Sequence, residues 1–191
     1  MIIWSANREV DQSSLNGAIR YLKDGDSYDP KLNFHTSFFM NEEERPDQVF
    51  FGEYYNDLGR EICDELFLTG RGEFNYETWM QLYTEHSQTF EPHDHFSGNE
   101  LLSWVHFIKI GEDKCFHFIS ADGKKMYPKQ EEGDIIVFPP WIHHAADPPS
   151  EGERVIIAGN ISATSLSEFK FHALGYKDGG YKFGMWELCS D

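Results

Sequence analysis

The sequence predicts a mainly β chain, a sandwich or barrel built from about residue 75 onward, with a helical and irregular N-terminal part packed outside it. Two observations carry this. Apolar residues recur at helical spacing in the first third, and from Asn75 the period falls to two, as in strands with one buried face. Short aromatic and β-branched runs then follow one another, separated by Gly, Pro and Asp, at the spacing of an antiparallel β fold. At 191 residues the chain reads as one domain: an N-terminal part over 1–74, a barrel over 75–165 and a tail over 166–191.

Taken in order, "SSLNGAIRYLKDG" offers a Ser N-cap, apolar residues at helical spacing and a Gly stop at Gly25. "KLNFHTSFFMNEEERPDQVFF" holds a short strand and an acidic loop. "EYYNDLGREICDELFLTG" reads as a second helix ending near Gly70. The strands are expected in "YETWMQLYTE", "LLSWVHFIKI", "KCFHFISA", "GDIIVFPP" and "RVIIAGNIS". The aromatic, Gly-rich tail "FHALGYKDGGYKFGMWEL" packs along the barrel or against a second subunit, which leaves a homo-oligomer open.

Acidic residues outnumber basic ones by 33 to 16, giving a net charge of −17. Such a surface repels polyanions, so no nucleic-acid partner is expected; its plain reading is a solvated acidic exterior. No stretch approaches the roughly 20 apolar residues of a membrane span. "MIIWSANREV" lacks the basic-then-apolar order of a signal peptide, and a cytoplasmic location is the expectation. Cys63, Cys115 and Cys189 form no C-x-x-C pair, which argues against a disulfide framework and against a thiolate zinc site.

The chemistry concentrates in the histidines. In "EPHDHF", His93 and His95 are two apart, so in an extended strand they share a face while Asp94 points away. Two imidazoles side by side suit adjacent positions on a transition metal. Further on, "GDIIVFPPWIHH" delivers His143 and His144, and "AADPPSEGE" turns the chain into "RVIIAGNIS". A hairpin centred near Pro149 would set His144 opposite Arg154, with Cβ atoms about 5 Å apart. That pairing favours His144 over His143 as the inward ring. Arg154, Ile156, Ala158 and Asn160 share a face by parity and form a slot suited to a small carboxylate, which guanidinium grips with two parallel hydrogen bonds. His106 and His117 lie in apolar runs and read as satisfied core histidines.

With those residues in place, the segment from Thr78 to Ser162 resembles the Fe(II)/2-oxoglutarate-dependent dioxygenases. "TWMQLY", "PHDHF…LLSWVHFI", "GDIIVFPPWIHH" and "ERVIIAGNI" occur in the order of the branch known simply as 2OG-Fe(II) oxygenases. The resemblance implies a double-stranded β-helix, the jelly-roll or cupin-like barrel. It implies that His93, His95 and His144 hold the metal and that Arg154 binds the far carboxylate of 2-oxoglutarate. Gln81, Tyr83 and Asn160 would line the cosubstrate pocket, and Trp141 and Phe138 would wall it. The implied activity is hydroxylation of a small-molecule or peptide substrate, with release of succinate and CO2. One departure stands out: the superfamily uses His-x-Asp/Glu with a distal His, and here His95 takes the carboxylate's place, unless Asp94 or Glu100 supplies one. The same motifs also resemble cupins, with His93, His95, Glu100 and His144 as a four-ligand set. A metal-free or structural-metal ligand-binding barrel is the third alternative.

Overall fold

The computed structural model describes residues 2–66, 74–111 and 113–163. Its strands are β1 (Trp4–Asn7), β2 (Tyr28–Asp29), β3 (Phe34–Thr36), β4 (Phe74–Thr84), β5 (Phe90–His93), β6 (Glu100–Lys109), β7 (Phe116–Ile119), β8 (Lys125–Met126), β9 (Asp134–Phe138), β10 (His144–Ala146) and β11 (Glu153–Ala163). They form two antiparallel sheets, one in the order β1-β9-β6-β11-β4-β3-β2 and one in the order β5-β10-β7-β8. This is a double-stranded β-helix, as the resemblance implied.

The larger sheet is buried on both faces because its central strands carry continuous apolar runs, such as Ile135 to Phe138 and Val155 to Ile157, whose alternate residues go to opposite sides. Met80, Leu82, Trp104, Ile135, Val137, Val155 and Ile157 point to one side. Trp79, Tyr83, Val105, Phe107, Ile136, Phe138 and Ile156 point to the other. The first face is covered by Leu15, Ala18 and Leu22 of helix α1 (Gln12–Asp24) and by Tyr55, Leu58 and Ile62 of helix α3 (Tyr54–Glu65). The second packs on Phe116, Phe118 and Ala146 of the smaller sheet. The space between the sheets is where a ligand would sit.

At Gly159 the fold depends on the missing side chain. A Cβ there would lie 2.5 Å from the Glu77 carbonyl oxygen and 2.5 Å from the Trp104 ring. The gap lets Trp104 lie flat beneath β11 and stack on Tyr55, with ring centroids 5.5 Å apart.

Several expectations are corrected. Helix α1 is capped by Asp11, whose carboxylate accepts from the Ser14 amide at 2.7 Å; the helix therefore starts ahead of the expected Ser cap, while Gly25 ends it as expected. The N-terminal part contributes three strands as well as helices: β1 pairs with β9, and β3 joins β2 to β4. Pro46 at the helical N-terminus starts a short helix, α2 (Pro46–Phe51), inside what read as loop. Helix α3 ends at Glu65 with Leu66 as its C-cap, short of the expected Gly70, which with the tail over 166–191 and Cys189 lies outside the described residues. No helix among the described residues is long and apolar enough to cross a membrane.

The largest correction concerns the predicted hairpin. His144 does not pair with Arg154. Strand β10 belongs to the smaller sheet, where His144 faces His93 and Phe118, whereas Arg154 lies in the larger sheet opposite Tyr83. Pro148 and Pro149 have no N–H to continue a ladder, and the chain uses this segment to cross from one sheet to the other. The parity argument survives the error, because both sheets turn their inner faces to the same space.

Candidate metal centre and its pocket

His93, His95 and His144 converge between the sheets, each offering a ring nitrogen within 4.8 Å of the others. His93 ends β5, and His144 opens β10 directly across from it. His95 lies just beyond the strand on which its spacing placed it. Strand β5 stops at His93, and His95 lies in the following loop, where its amide donates to the Pro140 carbonyl at 2.8 Å. Asp94 turns outward between them, as the spacing predicts, and the two rings meet with centroids 5.2 Å apart.

The hydrogen bonds of the three rings share one pattern. Nδ1 of His93 is 2.9 Å from the Glu91 carbonyl, and Nδ1 of His144 is 2.9 Å from the Ile142 carbonyl. Nδ1 of His95 is 2.8 Å from Oδ1 of Asn160. A carbonyl oxygen only accepts, so Nδ1 carries the hydrogen in His93 and His144 and Nε2 keeps its lone pair. In the matching state, His95 also donates through Nδ1. This orienting of ligand imidazoles by outer oxygen atoms is what a metal site needs. Burial favours the neutral rings: it lowers the pKa of His93 to about 4, that of His144 to about 3, and that of His95 as well.

No carboxylate joins the group. Asp94 is exposed and pairs with His143 Nε2 at 3.0 Å, on the outside. Both oxygens of Glu100 are turned back to Ser97 and Gly98, bonding the Ser97 amide at 2.8 Å and its hydroxyl at 2.6 Å. The four-ligand cupin set is thus not assembled, and the group among the described residues is three histidines. His106 and His117 are fully buried core residues; His106 is bonded to the Arg8 carbonyl and the Tyr55 hydroxyl.

Behind the histidines a pocket of about 350 Å³, counted with its open mouth, runs between the sheets past Trp79, Gln81, Tyr83, Ile156 and Ala158. The Tyr83 hydroxyl donates to Gln81 Oε1 at 2.9 Å, and burial pushes its pKa up to about 12, so it remains a donor. Arg154 lies across the Tyr83 ring, its guanidinium carbon 4.9 Å from the centroid. It is fully buried, makes one long bond to the Asp147 carbonyl at 3.4 Å, and leaves Nε and Nη2 without a partner.

Three assignments change. Asn160 gives its oxygen to His95 and is therefore a support for that ring rather than a wall of the cosubstrate slot. Trp141 is half-exposed and meets Phe96 edge-to-face outside the cavity; Phe138 is buried behind His144, with centroids 5.1 Å apart. Trp79, which lines the pocket and lies 5.5 Å from the His95 ring, was overlooked. Its place two residues before Gln81 on the same strand face was the available signal.

Among known proteins, no family model matches the chain, and no curated protein matches it in sequence. Solved structures do match in fold. A prolyl-4-hydroxylase from Pseudomonas putida superposes with a TM-score of 0.61 at 14% identity, over 83% of this chain and 91% of that one. An oxidoreductase of the 2OG-Fe(II) oxygenase family from Burkholderia pseudomallei gives 0.59 at 14%, over 83% and 82%. HygX from Streptomyces hygroscopicus, with nickel, 2-oxoglutarate and hygromycin B bound, gives 0.56 at 12%, over 87% and 84%.

Proposed function

We propose that this chain is an Fe(II)- and 2-oxoglutarate-dependent oxygenase that hydroxylates a small-molecule or peptide substrate and releases succinate and CO2. The observation that carries this reading is Arg154. A fully buried guanidinium with two unbonded nitrogens is costly to maintain. A carboxylate reaching it through the pocket would supply the two parallel hydrogen bonds that it lacks. Tyr83, the ring on which the guanidinium lies, lines the pocket that also holds three imidazoles with Nε2 lone pairs, a donor set that suits Fe(II). One ligand with an oxo acid at one end and a carboxylate at the other fits both demands.

In this reading His93, His95 and His144 hold the metal and Arg154 holds the distal carboxylate, with Tyr83 and Gln81 beside it. Three neutral ligands leave the metal its full 2+ charge, which favours an anionic chelator over a neutral one. Iron, when bound, would activate O2, with one oxygen atom going to 2-oxoglutarate as it is oxidised to succinate and CO2 and the other to the substrate C–H bond. The protein's work is to fix the cosubstrate at both ends and to wall it in with Trp79, Ile156 and Ala158. No side chain is needed as a general base. The similarity in fold to a prolyl-4-hydroxylase, a protein of the 2OG-Fe(II) oxygenase family and a 2-oxoglutarate-bound protein supports the class and leaves the substrate open.

The deciding experiment is an anaerobic titration of the protein with Fe(II) and then 2-oxoglutarate, watched for the weak visible charge-transfer band of the chelate. Its appearance, followed by O2-dependent succinate formation, is expected. Metal uptake without the band would instead favour a cupin-type site or a structural metal.

A further inference from the structure

His95 differs from the other two candidate ligands in what fixes its proton. The oxygen atoms facing Nδ1 of His93 and His144 belong to the backbone, two residues back, and cannot change role. The oxygen facing Nδ1 of His95 belongs to a side-chain amide, which could present Oδ1 or, turned over, Nδ2. The two orientations demand opposite tautomers. With Oδ1 inward, His95 donates from Nδ1 and keeps a lone pair on Nε2. With Nδ2 inward, the amide donates, Nδ1 becomes the acceptor, and Nε2 carries a hydrogen where a metal would bind.

A third group bears on this choice. Ser103, wholly buried on β6 and opposite both Asn160 and Phe138 in the sheet, has its hydroxyl 2.8 Å from Asn160 Oδ1 and 3.3 Å from His95 Nδ1. With Oδ1 inward, one oxygen accepts from both Ser103 and His95 at the short distance, and every hydrogen has an acceptor. We propose that Asn160, steadied by Ser103, is the positioning residue that commits His95 to binding metal through Nε2. The proposal rests on the metal reading above. An apolar residue at position 160 would leave His95 free to take either tautomer.

The test reads the tautomer directly. Long-range ¹⁵N–¹H correlation spectra of the imidazoles would be recorded on metal-free protein near neutral pH, with His95 assigned through His95→Gln. Anaerobic Fe(II) titrations would run alongside. The wild type is expected to show His95 protonated at Nδ1. Asn160→Leu should move the hydrogen toward Nε2 and weaken Fe(II) binding by about 10- to 100-fold, the usual loss on removing such an outer partner. Asn160→Asp, which still offers an acceptor, should restore both. Ser103→Ala should cost less than Asn160→Leu. Wild-type His95 protonated at Nε2, or weaker metal binding in Asn160→Leu with an unchanged tautomer, would overturn the proposal. A wild type with the expected tautomer that binds no Fe(II) would overturn the metal reading itself.

Discussion

His93 and His144 face each other across the paired strands β5 and β10, with ring centroids 4.4 Å apart. The pairing makes the smaller sheet, through its backbone ladder, the device that holds two of the three candidate ligands. The outer contact of Asp94 with His143 Nε2 lies on the same two segments but turns away from the rings. Ligand and latch therefore make opposite predictions.

His144→Ala removes a donor and should abolish stoichiometric Fe(II) binding, with a loss exceeding the 10- to 100-fold of an outer-partner variant. Asp94→Asn should leave affinity within a few-fold, since exposed ion pairs contribute only about 0–1 kcal/mol. Metal content by elemental analysis after gel filtration separates the two. Loss of metal in Asp94→Asn would make Asp94 a ligand.

The contrast between these neighbours also shows what the sequence made legible. Strands β4, β6, β9 and β11 were legible as short apolar and aromatic runs, and Arg154, Ile156 and Ala158 lie with Tyr83 on the one face that parity assigned them. The convergence of the three histidines was legible too, although partly for wrong reasons. Parity says which face a side chain takes but not which sheet its strand joins, so the segment from Pro148 to Gly152 read as a hairpin when it is a crossover. Strand β1 was hidden because four residues at a chain end, half-exposed by alternation, carry too little pattern. The role of Asn160 was hidden because its partner, His95, lies 65 residues away in a segment past the end of β5, and no period encodes that contact.

Gly159→Ala tests the crowding between β11 and its neighbours. The added methyl would meet a backbone oxygen and an indole at 2.5 Å, and the oxygen cannot move without disturbing the β4–β11 ladder. Overpacking of this kind costs about 3 kcal/mol at its upper range. For a chain of this size that is a fall in Tm of about 6–12 °C, readable by calorimetry. An unchanged Tm would mean that Trp104 has room to withdraw.

Acid should destabilise the protein through His106. Burial lowers its pKa from 6.5 to about 4, and its neutral ring is bonded at both nitrogens. Because the folded pKa lies below the unfolded one, the unfolded chain binds the proton first as pH falls. The contribution is complete above pH 6.5 and is lost on descending to about 4, amounting to about 3 kcal/mol. His106→Gln should therefore show its largest stability deficit near pH 7.5 and a shrinking one toward pH 4.5. Urea unfolding of metal-free wild type and variant across that range is the check, and a deficit independent of pH would remove His106 as the source.

Arg154 gives the sharpest test because cosubstrate binding and stability should move in different directions. Arg154→Lys keeps the charge but loses the planar fork. It should weaken 2-oxoglutarate binding to the iron-loaded protein by about 10- to 150-fold, the equivalent of one charge-assisted hydrogen bond of about 1.5–3 kcal/mol, without expelling metal. Arg154→Met removes a buried charge that has only a ring and one long hydrogen bond for company. Replacing such a group by an apolar one of similar length is often neutral or stabilising by about 1–4 kcal/mol. In the absence of 2-oxoglutarate the Met variant should thus unfold at the same or higher urea concentration, yet fail to bind the cosubstrate. A Met variant markedly less stable than wild type would make the guanidinium a structural strut. Unaltered 2-oxoglutarate affinity in both variants would remove Arg154 from the site.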